Sequence, residues 1–427
     1  MRVVHVTSLD SGGAANSCTR VHRSLLQYGV DSIVLTMSKT SSIAGVERLA
    51  RTRPQKLMEK LRAPLSQLPL MFYPKRHKDI FSPNIPFFTP HNRTLLKRLK
   101  ELKPDIVHLH WIENGFLNIK DLESIDAPML WSLHDMNPYT GGCHYVEPSC
   151  NGFLEYCRNC PALDSNRKYD LSFWTFFRKR RTYGRLKKLT IHGPSKWMAE
   201  DAKKSSLLKN KPIISFPTPV DTKIYAPMSK VIAREILTIT PNKKIIAFGA
   251  TDIGIARKGF AELESALKML PDDLKSQCEI VVFGANQLGA TSEAPQIAGI
   301  NAHFLGRLGD DISLRIAYNA ADIFVTPSLA ENLSNAIMES LSCGTPVVAF
   351  DIGGNGDMIS HKQNGYLAKE RDIADLAKGL EWILRLDASE YEALSQRARQ
   401  SAESKFSMGV VAKQYIEAYS KILSKSS

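Results

Sequence analysis

Short apolar runs of strand composition alternate with longer stretches of helical periodicity, and this alternation, begun twice, confines the chain to parallel-sheet α/β architecture. The first series has strand-like runs at residues 3–7, 32–36, 105–110, 128–133 and 189–192, with an amphipathic stretch at 15–27 after the first. A second series begins afresh at 244–248 and continues at 279–283, 302–305, 323–326 and 345–350, with a helical stretch at 260–269. Strand, helix, strand is the sequence form of a βαβ unit, whose crossover requires parallel strands covered on both faces. Two such series in 427 residues predict two doubly wound domains. Phe216-Pro217-Thr218-Pro219 and Ala226-Pro227 break any regular element between them. The expected organisation is a first domain over 1–215, a linker over 216–228, a second domain over 229–407 and a final helix within 408–427. Open parallel sheets bind ligands beyond the carboxyl ends of their strands, so chemistry is expected in the loops after these strands and in the cleft between the domains.

Charge separates the two halves. The formal net charge of +13 resolves into +17 over residues 1–230 and −4 over 231–427. A basic first half is suited to an anionic surface or substrate, such as phospholipid, a lipid diphosphate or nucleic acid, and solubility alone is the plainer reading. Residues 51–100 hold twelve Lys/Arg against Glu59 and Asp79 only, with seven prolines, and read as an irregular basic insertion. No apolar run approaches the roughly 20 residues of a membrane-spanning helix. A strand at the very start leaves no space for a signal peptide, so a cytoplasmic protein is expected. Seven cysteines, an odd number, fit thiols or metal ligands better than a paired disulfide framework.

Five stretches carry the chemistry. Ser11-Gly12-Gly13-Ala14-Ala15 lies between the first strand and a helix, where glycine lets the backbone approach a ligand and a helix N-terminus offers N–H groups to an anion. Alone it reads equally well as a tight turn. In the block 327–357, Glu331 and Glu339 are eight residues apart, with Glu331 before a helix expected to start near Leu333 and Glu339 in its second turn. Two carboxylates there could accept hydrogen bonds from sugar hydroxyls while the N–H groups of Leu333, Ser334 and Asn335 meet a diphosphate or sugar; two solvated helix charges are the alternative. Leu133-His134-Asp135 closes a strand of the first domain. His108 and His110 share one strand face, as a metal pair or as acceptor-pocket lining, with Trp111 as a platform on which a sugar could stack. Cys143, Cys150, Cys157 and Cys160 fall within 18 residues, a spacing open to an all-thiolate zinc staple, to free thiols or disulfides, or to a redox or iron–sulfur site. In 167–188, Phe173, Trp174, Phe176 and Phe177 lie beside Arg178, Lys179, Arg180 and Arg181, which suits a lipid interface, nucleic acid, or a helix with its aromatics in the core and its charges solvated.

The block 327–357 resembles the donor-binding domain of the family-4 type glycosyltransferases, which share the two-Rossmann-domain fold called GT-B. The resemblance rests on the spacing of Glu331 and Glu339, on Cys343-Gly344-Thr345-Pro346-Val347-Val348, on Gly353-Gly354 and on Asn364-Gly365. Pro219-Val220-Asp221, Lys258-Gly259 and Gly12-Gly13 extend it over nearly the whole chain. The four-cysteine loop just after His134-Asp135 is similar to that of bacterial exopolysaccharide and colanic-acid type members.

The resemblance implies two doubly wound parallel-sheet domains facing across a cleft, the first binding acceptor and the second a nucleotide-diphosphate sugar, with the last helix crossing back to the first domain. It implies that Lys258 neutralises the donor diphosphate, that Glu339 holds the ribose, that Glu331 contacts the transferred sugar, and that His134 approaches that sugar from the acceptor side. Gly12, Gly13, Asn332, Leu333 and Ser334 join the donor site, and His110, Trp111 and Asp135 the acceptor side. The family's arginine after the preceding strand is missing from Gly249-Ala250-Thr251, which leaves Arg257 to replace it, and Asp357 stands where relatives carry a Glu. The expected activity is retaining hexosyl transfer to a glycan, carried on a lipid, of the cell envelope. No catalytic metal and no specific nucleic acid are expected, while a structural zinc and peripheral attachment to the anionic inner leaflet are consistent with the thiols and the basic half. A nucleotide-sugar epimerase of similar fold and a basic nucleic-acid-binding protein are the competing expectations.

Overall fold

Seven strands of the first series pair in parallel throughout, in the order β3-β2-β1-β4-β5-β6-β7: β1 (Arg2–Leu9), β2 (Asp31–Ser38), β3 (Val46–Arg48), β4 (Ile106–Leu109), β5 (Met129–Ser132), β6 (Leu189–Gly193) and β7 (Ile213–Ser215). The structure is a computed structural model describing residues 1–78, 80–250, 254–284 and 295–425, so Asp79 and Thr251 lie outside the described residues. The second series gives β8 (Lys244–Gly249), β9 (Cys278–Phe283), β10 (Gln296–Ile297), β11 (Ile300–Phe304), β12 (Ile323–Thr326), β13 (Val347–Phe350) and β14 (Gly365–Ala368). Their order is β10-β11-β9-β8-β12-β13-β14, parallel except for the β10–β11 edge.

The chain divides into one unit of Met1–Thr218 with Val411–Ser427 and another of Pro219–Val410. In the first, Val4 and Val6 point into one apolar layer while Val3 points into another, against Val411, Tyr415 and Tyr419 of the last helix, Met408–Ser424. That is the period-two alternation of a strand covered on both faces. In the second unit, Ile246 and Phe248 face one layer and Ile245 and Ala247 the other.

The boundary between the units, Thr218/Pro219, falls inside the segment 216–228, whose later part packs in the second unit: Val220 and Tyr225 are fully buried there, Val220 N–H donates to Phe406 O (2.8 Å), and Arg399 donates to the carbonyls of Tyr225 and Thr222. The basic insertion is not irregular at its start, since Arg53–Gln67 is a helix with a Thr52/Gln55 capping box and Pro54 in its first turn. A proline there forfeits no hydrogen bond, because the first N–H groups of a helix have no internal acceptor. Among the described residues no helix is long and apolar enough to cross a membrane.

Candidate active site

Among the parallel strands of each sheet the order reverses once, and in open parallel sheets ligands bind at such a point beyond the carboxyl ends of the two neighbouring strands. The second unit reverses between β8 and β12. The loop after β8 carries Arg257 and Lys258, and the loop after β12 carries Glu331 to Ser334 before the helix Asn335–Ser342.

Glycine holds the β12 loop in place from both sides. Gly259, at φ +77°, lies so close that a Cβ would stand 1.9 Å from Pro327 O, and Gly353, at φ +53°, would put one 1.7 Å from Glu331 O. Any side chain at either position would expel the loop. Leu329 N–H donates to Arg257 O and the Arg257 guanidinium to Ala330 O, both at 2.8 Å. Lys258 Nζ thereby reaches Glu331 Oε2 at 2.8 Å, with Arg257 Nη1 3.8 Å from the same oxygen. Burial works to raise the Glu331 carboxyl, but the two cations outweigh it and hold it below the usual carboxylate range. Glu339 projects from the following helix, is 5% exposed, and accepts a hydrogen bond of 3.0 Å from Tyr318 Oη. Asn332 and Ser334 are buried and Leu333 is half-buried. The result is a paired cation and anion in the loop that leads into the helix bearing a second carboxylate, groups suited to an anionic leaving group and to hydroxyls.

The first unit reverses between β1 and β4. Gly12, at φ +97°, ends the β1 loop, and Gly13 opens the helix Gly13–Gln27 with no acidic residue in its first turn. Both glycines are exposed, and a Cβ on either would meet nothing within 4 Å, so backbone conformation rather than crowding calls for glycine at Gly12. His134, just past β5, is half-buried, and its Nε2 lies 3.0 Å from His110 Nδ1. Burial lowers the His134 imidazole to about 4.

Two residues expected on the acceptor side are engaged internally. His110 is 1% exposed, with His5 on one nitrogen and His134 on the other, so it stands behind His134. Asp135 accepts from Trp111 Nε1 (3.0 Å), from the His144 ring (2.7 Å) and from Asn137 N–H (2.8 Å). Burial raises its carboxyl and these partners more than reverse the effect. His108 bonds Ser132 and Tyr419 in the core, so neither it nor His110 is an exposed metal pair.

Sequence reasoning missed Glu113, His144 and Lys179, which surround Asp135. The Glu113 carboxyl is pushed up to about 7 by burial and by Asp135, and the Lys179 ammonium is lowered to about 8 by burial. Lys179 donates to Asn137 and Thr140. Its only sequence signal was its place among aromatics, and there the helix Leu171–Arg185 mixes the expected sides: Phe176 and Lys179 are buried, while Trp174 and Phe177 are half exposed.

Of the four loop thiols, Cys143 Sγ and Cys160 Sγ lie 3.9 Å apart. Backbone N–H groups donate to three of the sulfurs: Gly141 to Cys157 at 3.1 Å, Gly152 to Cys150, and Ala162 and Leu163 to Cys160. The donor set and these N–H···S bonds fit a thiolate-bound zinc. Yet among the described residues no three of these sulfurs lie within 4.8 Å of one another, so they do not close on a common point.

The family model described as Glycosyltransferase Family 4 matches residues 11–224, and that described as Glycosyl transferases group 1 matches residues 232–401. The chain belongs to the family-4 glycosyltransferases. A putative colanic acid biosynthesis glycosyl transferase, WcaC of Escherichia coli K12, is 26% identical to this glycosyltransferase over 317 residues, 69% of this chain and 73% of its own. A D-inositol 3-phosphate glycosyltransferase of Geodermatophilus obscurus is 31% identical over 196 residues, 44% of this chain and 42% of its own, so the chain spans about two fifths of that relative. Among solved structures, sucrose-phosphate synthase of Thermosynechococcus elongatus superposes with a TM-score of 0.69 at 17% identity over all of both chains. Anabaena HepE in complex with UDP superposes with a TM-score of 0.63 at 15% identity, covering 99% of this chain and 100% of that one. The chain therefore has the GT-B fold, with Lys258, Glu331 and Glu339 inside its group 1 region and Gly12, Gly13 and His134 inside its family 4 region.

Proposed function

We propose that this glycosyltransferase moves a hexose, with retention of anomeric configuration, from a nucleotide-diphosphate sugar to a glycan acceptor carried on a lipid, in the building of cell-envelope polysaccharide. The ion pair of Lys258 and Glu331 at the switch point of the second sheet carries the reading. A departing nucleoside diphosphate develops negative charge, and a fixed cation in a half-buried loop stabilises it more than water does. In this reading the acceptor hydroxyl attacks the anomeric carbon on the face from which the diphosphate leaves. The bond from that carbon to the phosphate oxygen breaks, the bond to the acceptor oxygen forms, and the hydroxyl proton passes to the departing phosphate oxygen. Lys258 and Arg257 meet the diphosphate, Glu331 accepts from the transferred sugar, Glu339 from the ribose, and the N–H groups of the Asn332 to Ser334 turn complete the donor site. Gly12 and Gly13 leave room for the donor at their loop, and neutral His134 meets the sugar without opposing the positive charge that grows on it. UDP in the HepE structure and the colanic-acid role for which WcaC is named support the donor class and the pathway class.

In this reading the four thiols Cys143, Cys150, Cys157 and Cys160 close on a structural zinc from a spacing at which no three of the sulfurs lie within 4.8 Å of one another. A tetrahedron with Zn–S bonds of about 2.3 Å has edges of roughly 3.8 Å, which the spacing of Cys143 and Cys160 already meets. The basic half docks on an anionic lipid surface. Met71, Phe72 and Phe87 are 73%, 80% and 95% exposed, Trp174 and Phe177 about half. Tyr73 Oη accepts from Leu171 N–H and Arg178 donates to Asn84 O, which joins the 68–87 segment to the helix bearing those rings. Exposed apolar tips among lysines and arginines suit anionic headgroups.

A screen of the purified protein against a panel of nucleotide-diphosphate sugars, for binding and slow hydrolysis, tests the function. One preferred donor, lost in Lys258→Ala and Glu339→Ala, is the expected result. Folded protein that binds no donor overturns it, and conversion of a donor without any acceptor redirects it to an epimerase.

A further inference from the structure

Glu339 stands in the second turn of the helix Asn335–Ser342 and is buried. A carboxylate so far removed from water must find its hydrogen bonds in the protein or in a ligand, and once ionised it can only accept them. Tyr318, on the helix Asp311–Ala320, supplies one, its Oη donating to Glu339 Oε2 at 3.0 Å. Burial and the neighbouring Glu339 charge hold the phenol well above its ordinary value, so it keeps the hydrogen that it donates.

That hydroxyl is carried by a ring fixed from several sides. Tyr318 is fully buried and meets Phe283 and Phe324 edge to face, with ring centroids 5.5 and 5.2 Å away and interplanar angles of 89° and 87°. Phe283 ends β9 and Phe324 lies in β12, the two strands that flank β8. Phe283 finds its place because residue 249, at the end of β8, is glycine: a Cβ there would stand 2.4 Å from the Phe283 ring. The Tyr318 backbone is tied as well, since Thr345 Oγ1, just past the helix that bears Glu339, donates to Tyr318 O at 2.8 Å. A phenylalanine would fill the same aromatic space without the cost of burying a phenol, so the hydroxyl answers to Glu339 and not to the packing.

An ionised carboxyl has about four lone-pair sites, and the bond from Tyr318 orients the group without by itself exhausting it. The adjacent hydroxyls of a ribose are two donors that one carboxylate can hold, and a 2′-deoxyribose offers only one of them. We propose that Tyr318 is a positioning residue whose hydroxyl aims Glu339 at both ribose hydroxyls, so that the donor is a ribonucleoside diphosphate sugar and 2′-deoxyribonucleoside diphosphates bind more weakly. Glu339 as the ribose group rests on the proposed function; Tyr318 as the residue that aims it, and the class of nucleotide that follows, go beyond that reading.

Calorimetric titration of the full-length protein with UDP, ADP, GDP and CDP, and then with the 2′-deoxy counterpart of the one that binds, tests both parts. The expected preference for ribose is about 10–100-fold, the range for a hydrogen bond to a charged group. In Tyr318→Phe the affinity for the ribonucleotide falls by about tenfold and the preference over the deoxy form narrows, while in steady-state kinetics the loss falls on the donor KM more than on kcat. A merely structural tyrosine would weaken both nucleotides alike and leave the preference as it was. Should Tyr318→Phe not fold, spectra of ring-labelled tyrosine in the wild type and in Glu339→Ala take its place: one slowly exchanging phenol hydroxyl proton of the wild type disappears in the variant. Equal affinity of the wild type for the two sugars, an unchanged preference in Tyr318→Phe, or hydroxyl signals indifferent to Glu339 each overturns the proposal. Folded protein that binds none of the diphosphates sinks the glycosyltransferase reading and this proposal with it, whereas diphosphate binding with an unchanged preference in Tyr318→Phe sinks the role of Tyr318 alone.

Discussion

Lys258 Nζ and Glu331 Oε2 are 2.8 Å apart although 73 residues separate them, because β8 and β12 are hydrogen-bonded neighbours and two glycines admit the loop between them. Lys258→Met is expected to lower kcat/KM by about 10²–10³, the range for removing one stabilising charge from a developing anion. Thermal stability should hardly move, since a partly exposed ion pair contributes about 0–1 kcal/mol. Steady-state kinetics with the preferred donor, run beside a melting curve, would expose a merely structural lysine through equal activity and a lower Tm.

Gly353→Ala and Gly259→Ala are expected to damage both fold and donor binding. Each places a Cβ under 2 Å from a carbonyl oxygen of the β12 loop and forces a side chain into positive φ. Strain of that kind costs about 1–3 kcal/mol, or else the loop moves. Calorimetry with donor titration measures both effects, and an alanine variant that binds normally would show the loop to be less tightly clamped than its geometry indicates.

Acid sensitivity should begin in the imidazole range. His5, His108, His110, His134 and His192 all have lowered values when folded, so on acidification the unfolded chain protonates first. Their contribution is whole above about 6.5 and is lost as pH falls towards the folded values, about 4 for His134 and about 3 for His192. Glu331 and Asp135, with depressed carboxyls, add their losses further into acid. His144 runs in the opposite sense: its value is raised by Asp135 against burial, so its contribution is full below about 6.5 and fades as pH rises through the raised value. Urea midpoints measured from neutral to acid pH should slope from the imidazole range downward, and a plateau down to carboxylate values would contradict the buried-histidine account.

Protein purified without chelator is expected to carry one zinc per chain, and Cys143→Ser or Cys160→Ser to lose it along with stability of the loop. Elemental analysis together with thiol titration decides the point: four reactive thiols and no metal in folded protein would leave the loop held by packing and N–H···S bonds alone.

Vesicles containing anionic lipid should float the protein and neutral vesicles should not, with salt and Phe72→Ser or Phe87→Ser each weakening the association. Equal flotation on both vesicle types would remove the electrostatic part of the lipid proposal.

Much of this was legible in advance. Runs at 3–7, 244–248 and 323–326 became β1, β8 and β12, and Glu339 lies in the second turn of its helix, which begins two residues later than expected. The edge strands β3, β7 and β10 were not, for they are two or three residues long and too short to show a period. The prolines of 51–100 concealed a helix, because a proline at a helix start and one that breaks a helix look alike until the capping box is recognised.

Local pattern therefore determined the strands, the parallel sheets and the loops that carry the chemistry, since period and burial are properties of neighbouring residues. Strand parity even put His108 and His110 on one face. Only the tertiary structure decided what those side chains meet: that His110 stands behind His134, that Lys179 turns inward, and that Lys258 reaches Glu331. These partners are 24, 42 and 73 positions apart, brought together by strand order, and strand order leaves no trace in the local sequence.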